Sequence, residues 1–98
     1  MPAPDCLVTV EVDSHGVHVA AALDQLGRLL ATTSVPTTTR GYRQLLTWAR
    51  KLGQVERFGV EGTGSYGAGL ARWLRARGQL VIEVDRPDRA GLATPGQG

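Results

Sequence analysis

Two acidic residues, Asp13 and Glu61, occupy matching local settings. Each follows a valine at the end of an extended apolar run, and each precedes a turn of small residues, Ser14-His15-Gly16 in one case and Gly62-Thr63-Gly64-Ser65 in the other. In open α/β sheets ligands gather beyond the carboxyl ends of the strands, and neighbouring strands lie about 4.8 Å apart, so two such carboxylates on adjacent parallel strands can share one cation. Hard divalent ions take oxygen ligands, keep several waters and bridge to substrate phosphates. The pair therefore reads as a divalent-cation site, with solvated strand-end acids as the plain alternative. The reading requires the strands ending at Asp13 and Glu61 to be neighbours, with both side chains on one side of the sheet.

Several residues near the pair invite weaker readings. Glu11, two residues before Asp13, points to the same face of its strand, where it would add a ligand, repel Asp13, or simply occupy an exposed position. His15 and His18 read as surface imidazoles near the site. The glycines at 62, 64, 67 and 69 lead into a helix whose N-terminus would suit a phosphate. They lack the Gly-Lys-Ser/Thr ending of a nucleotide loop, which argues against ATP, and tight packing explains them equally well. Ser65 has no base or acid paired with it and reads as a helix cap. Trp48 and Trp73 read as packing residues of amphipathic helices, and Arg72, Arg75 and Arg77 as a basic flank suited either to nucleic acid or to solvent.

The elements that would position Asp13 and Glu61 are legible from periodicity. Leu7 to Val12 alternates with period two, Val17 to Leu23 is apolar and extended, and Leu29 to Val35 is rich in Thr and Val, with turns at 14–16 and 24–27. Pro36 and the threonines at 37–39 break the third strand and offer a cap to a helix whose stripe is Tyr42, Leu45, Leu46, Ala49 and Leu52, with Gly53 just past its end. A strand at Val55 to Val60 leads to Glu61. A second helix places Tyr66, Leu70, Trp73 and Leu74 on one face and stops at Gly78, and Leu80 to Val84 is a fifth strand. From Arg86 onward the chain has two Pro, three Gly and no periodicity, and reads as a loose tail. Three strands, helix, strand, helix, strand predicts an α/β mixed five-stranded sheet: an antiparallel opening, then parallel strands with two helices, the ribonuclease H arrangement.

Composition limits the function classes. A chain of 98 residues supports one small domain, and 42% hydrophobic with 20% charged residues is ordinary for a folded protein. No apolar run approaches the roughly 20 residues of a membrane helix, and the start lacks the features of a signal peptide, so a cytoplasmic location is expected. The single cysteine, Cys6, reads as a small buried hydrophobe. Net charge is +2, yet no Lys or Arg precedes Arg28 whereas Asp5, Glu11, Asp13 and Asp24 do. The basic set is ten arginines and one lysine, a bias that phosphate binding and a GC-rich genome explain equally well.

The motifs themselves resemble a family. Val12-Asp13-Ser14-His15 with His18-Val19-Ala20-Ala21 is similar to the opening hairpin of the DEDD-type (RuvC-like) insertion-sequence transposases, and Phe58-Gly59-Val60-Glu61-Gly62-Thr63-Gly64-Ser65-Tyr66-Gly67 resembles the segment that carries that family's catalytic Glu. Gly41-Tyr42, Leu45-Leu46 and Trp48-Ala49 resemble the intervening helix, and Val84 with Arg86-Pro87 the final strand and exit, so the likeness runs from about Leu7 to Arg89.

The resemblance implies a bacterial DNA transposase of ribonuclease-H-like fold that uses magnesium or manganese to cleave and transfer strands under a structured guide RNA. It makes Asp13 and Glu61 the first two catalytic, metal-binding carboxylates. The family's third and fourth acids lie in an Asp-x-x-Asp-Ala run after the Arg-Pro-Asp-Arg segment, and its nucleophilic serine lies in a further domain. Neither is present in this sequence, so an incomplete domain at 1–89 followed by a disordered tail at 90–98 is expected, inactive alone. Two departures stand out: the stretch from Asp13 to His18 is one residue shorter than usual, with Gly16 where a lysine is common, and Glu11 replaces a small residue. Two other readings remain. One is a non-catalytic remnant that binds nucleic acid, forms a homo-oligomer or joins intact transposase subunits. The other is a fragment of an actin-like sugar kinase or ATPase, disfavoured because Gly16 falls three residues after Asp13 rather than two.

Overall fold

A computed structural model describes residues 6–62 and 66–84. The chain runs through β1 (Leu7–His15), β2 (Val17–Leu23), β3 (Leu29–Pro36), α1 (Thr39–Leu52), β4 (Gln54–Glu61), α2 (Gly67–Ala76) and β5 (Val81–Val84). The strands form one mixed sheet in the order β3-β2-β1-β4-β5. β1 pairs with β2, and β2 with β3, in antiparallel fashion, whereas β1–β4 and β4–β5 are parallel. This is the α/β, ribonuclease-H-like arrangement that the element order predicts. Thr63, Gly64, Ser65, the expected domain end at residue 89 and the expected tail at 90–98 lie outside the described residues.

Each strand is two-faced because successive side chains point to opposite sides of the sheet. In β1, Val8, Val10, Val12 and Ser14 are buried, and Leu7, Thr9, Glu11 and Asp13 are only partly so. Val10 and Val12 join Ala20, Ala22, Val35, Phe58, Val60 and Val81 in one core cluster with Leu45, Leu46 and Ala49 of α1 and Leu70, Ala71 and Leu74 of α2. Both helices therefore lie on the same side of the sheet, and no described element covers the other. There Val17 and Val19 are each 49% exposed.

Local chemistry sets the element ends. Thr38 caps α1, its Oγ1 accepting a hydrogen bond from Gly41 N at 3.0 Å, and Gly41 has no room for a Cβ because the Pro36 carbonyl oxygen already occupies that space. Asp24 closes the β2–β3 turn by accepting from Leu26 N, Arg28 N and Arg28 Nε; the Arg28 backbone N–H leads in holding its carboxyl below the usual value. α2 stops where Gly78 N donates to Arg75 O and Gln79 N to Leu74 O, with Gly78 at φ 80°.

Four sequence expectations are corrected. Ser14 and His15 are strand residues rather than turn residues, since β1 continues to His15 and the hairpin closes on Gly16 alone, at φ 87°. Cys6 is exposed, and its carbonyl rather than its thiol makes the local contact, accepting from Gln54 N. Tyr66 caps α2 and is 53% exposed, so it stays outside the buried face formed by Gly67, Leu70, Ala71 and Leu74. His18 is not a surface imidazole. It is fully buried, shares a 2.7 Å hydrogen bond between Nδ1 and Ser14 Oγ, and stacks at a tilt on Tyr42. Ser14 and His18 face each other in the β1–β2 register, which puts both on the helix side.

His18 Nε2 has no hydrogen-bond partner among the described residues, and burial lowers the pKa of the ring from its ordinary 6.5. The unfolded chain takes up a proton near the ordinary value, the folded chain only at lower pH. The stability of the neutral ring is thus complete above about pH 6.5 and declines as pH falls through the folded value. Urea unfolding at about pH 7.5 and about pH 5 should show a fall in midpoint for the natural chain and a smaller fall for His18→Phe; equal falls would remove His18 as the cause.

Candidate functional site

Asp13 and Glu61 reach the same place through the pairing of β1 with β4. The register begins as Leu7 opposite Gln54 and Val8 opposite Val55, then shifts, so that Thr9 faces Arg57 and Val12 faces Val60. Glu56 is the extra residue of a β-bulge. Its effect on the site is direct. At the starting offset, Asp13 would stand beside Val60; with one residue added, the next step beyond Val12 and Val60 sets Asp13 beside Glu61. The bulge also keeps Val55, Phe58 and Val60 together on the helix side, leaving Arg57, Gly59 and Glu61 on the uncovered side with Glu11 and Asp13. The strands are neighbours, and the two acids share a side.

The acids line an open depression with Glu11, Val19, Ala21 and Thr32. Asp13 Oδ1 is shut off from solvent and lies at ion-pair distance, 2.8 Å, from His15 Nε2. Carboxylate oxygens are the ligands that hard divalent cations take. Glu11 is half-buried rather than simply exposed. Its carboxylate lies over Gly59, where a Cβ would stand 2.6 Å from Oε1, so the bare backbone of Gly59 provides its room. Among the described residues no group of three or more His, Cys, Asp or Glu side chains is assembled closely enough to hold an ion. Asp13 and Glu61 line the same depression from the ends of adjacent strands.

Gly62 holds the ends of β4 and β1 together. It adopts φ 75°, a backbone setting that side chains resist, and a Cβ there would stand 2.8 Å from the Ser14 carbonyl oxygen. Gly67 N then donates to Gly62 O at 2.7 Å, and a Cβ on Gly67 would stand 2.6 Å from the Glu61 carbonyl oxygen, so α2 starts directly against the acid-bearing strand end. Gly62 and Gly67 serve close backbone approach. Thr63, Gly64 and Ser65, the remaining candidates of that loop, fall outside the described residues.

The three arginines of the basic flank differ in their commitments. Arg75 reaches β5, donating to Val81 O at 3.2 Å and pairing with Glu83 at 3.4 Å. Arg77 stacks on Trp73, its guanidinium carbon 4.2 Å from the ring centroid. Arg72 is exposed with no ion pair among the described residues. Sequence reading missed two features that matter here. Glu56 carries no bulge signature, because a charged residue in an alternating strand looks like any exposed position. The Ser14–His18 bond behind Asp13 joins two strands and leaves no mark in local spacing.

No helix among the described residues is long and apolar enough to cross a membrane. A family model described as a transposase, of the DEDD type found in IS110 insertion sequences, matches residues 12–91. No curated protein matches the chain.

The two reasons for glycine at 62 can be separated by comparison with Gly78, which has φ 80° but open space around it. Gly78→Ala should cost about 1 kcal/mol from conformation alone, and Gly62→Ala about 1–3 kcal/mol more, because it also pushes on the Ser14 carbonyl. Chemical denaturation of the two variants provides the comparison, and equal losses would mean that the approach of Gly62 to Ser14 contributes nothing.

Proposed function

Because the chain belongs to the DEDD transposase family of insertion sequences, we propose that it presents Asp13 and Glu61 as the first two carboxylates of a divalent-cation site for DNA strand cleavage and transfer. The observation that carries this is the register of β1 on β4, which brings two acids nearly fifty residues apart to adjacent strand ends on one side of the sheet. The donor set fits the ion: carboxylate oxygens in a depression open enough for waters and a phosphate. Magnesium, with manganese as a substitute, is the cation that such ligands select. Bound there, the ion would polarise a phosphodiester and stabilise the charge that develops on its oxygens.

The residues of the chain itself supply position. Asp13 is held from behind by the Ser14–His18 bond, and Glu61 by Gly62 and Gly67 at the start of α2. Thr32 and Val19 form the β2–β3 wall of the depression, where a nucleic-acid strand would lie against an apolar and hydroxyl surface rather than against charge. Glu11 extends the acidic row and, without a cation, adds to the repulsion felt by an incoming phosphate. The substrate in this reading is DNA. A structured guide RNA and intact transposase subunits are the further partners that the family resemblance brings.

Titration with manganese, followed by calorimetry and by paramagnetic broadening of amide signals, tests the site. Broadening should centre on residues 12–15 and 59–62, and Asp13→Asn or Glu61→Gln should each weaken binding by at least about tenfold, the scale on which even outer partners of metal ligands act. Unchanged affinity in both variants would sink the shared site.

A further inference from the structure

Neither helix contains an acidic residue. α1 carries Arg40, Arg43, Arg50 and Lys51, and α2 carries Arg72 and Arg75, with Arg77 just beyond its end. Arg40, Arg43, Gln44, Thr47, Arg50 and Lys51 are the exposed positions of α1 after its first residue, and at 100° per residue they fall in one stripe of roughly 120°. Among the described residues none of the four α1 cations has an ion-pair partner. The described salt bridges use Arg28, Arg57, Arg75 and His15 instead. Between the cations stand Gln44 and Thr47, which also donate hydrogen bonds. The acids of the candidate site, Glu11, Asp13 and Glu61, are on the opposite side of the sheet. The molecule is therefore divided, with a cationic helix layer on one side and an anionic sheet face on the other.

We propose that the helix layer is a docking surface for the phosphate backbone of a second stretch of duplex DNA, distinct from the strand at Asp13 and Glu61. From Arg40 to Lys51, α1 is about 16 Å long, which matches about five phosphates along one DNA strand. Four unpaired cations against about five phosphates is close complementarity. Arg72 and the Arg77 guanidinium stacked on Trp73 widen the surface onto α2. A convex helical ridge suits the wide groove of B-form DNA, whereas the major groove of an RNA duplex is too deep and narrow for it. A phosphate bound to α1 is separated from the carboxylates by the sheet and the helix layer packed about 10 Å from it, so one copy of the chain would hold two nucleic-acid segments at once. The choice of DNA rests on the transposase reading; the surface does not depend on the cation site.

Fluorescence anisotropy of labelled duplex DNA in the presence of a chelator tests the surface independently of any metal. The variant with Arg40→Gln, Arg43→Gln, Arg50→Gln and Lys51→Gln should bind at least about tenfold more weakly. The slope of log affinity against log salt should shrink by about 0.9 for each phosphate that the variant no longer neutralises. Because all four residues are exposed, the melting temperature of this variant should stay close to that of the natural chain. A control with Arg28→Gln and Arg57→Gln, away from the helix stripe, should leave affinity and slope nearly unchanged. Equal losses in the two variants, preference for duplex RNA or anionic vesicles over DNA, or tighter metal-free binding in Asp13→Asn, which would put the duplex at the carboxylates, would each overturn the proposal. Failure of manganese binding together with a normal helix-layer result would reject the cation site and leave this surface standing.

Discussion

The pairing of β1 with β4, and the single extra residue at Glu56 within it, is the constraint on which the acidic end of the sheet depends. A strand has a side-chain period of two, so an offset of one residue exchanges everything that faces the core for everything that faces away. Here the exchange happens once, early in the pairing, while Val55 is still packed against the core cluster. The later part of β4 can then bury Phe58 and Val60 and still bring Glu61 level with Asp13. Core packing and site assembly are satisfied by one irregularity, and the hydrophobic drive that buries Phe58 is also what holds the acid in register.

A second layer of support comes from behind. Ser14 and His18 bond to each other across the hairpin, immediately next to Asp13, and His18 leans on Tyr42, which in turn faces Trp73 at 5.9 Å between ring centroids. The chain of contacts runs from the acid-bearing strand to both helices. A polar pair in such a place is expensive unless satisfied, and among the described residues His18 Nε2 has no hydrogen-bond partner. The arrangement exchanges some stability for fixed geometry at the end of β1.

Much of this was legible in the residue order, for reasons that differ by element. The alternation of Val8, Val10 and Val12 and the stripe of Leu45, Leu46 and Ala49 are strong periodic signals, so the strands and α1 stand where periodicity predicts, and the order of elements predicts the sheet. Asp13 and Glu61 were legible as strand-end acids, and the structure makes them neighbours. What was hidden depends on contacts between distant segments. Cys6 borders a strand yet lies outside the core, and Tyr66 looks apolar by spacing but sits at a cap, where a helix has not yet turned its face inward. His18 appears as a polar residue near a turn until pairing reveals that it shares a face with Val12 and Ala20. The bulge at Glu56 is invisible because only its partner strand shows that a residue is surplus.

The one-residue closure at Gly16 has a consequence for how this region can vary. His15 stands opposite Val17, so a single residue spans the corner. A second loop residue beside Gly16 would give the commoner two-residue hairpin and leave every pairing from His15 and Val17 onward in register. A residue gained further down either arm would instead slide its side chains by one pleat and present inward-facing positions to the open side. Length is therefore tolerated at the tip of the hairpin and fixed in its arms.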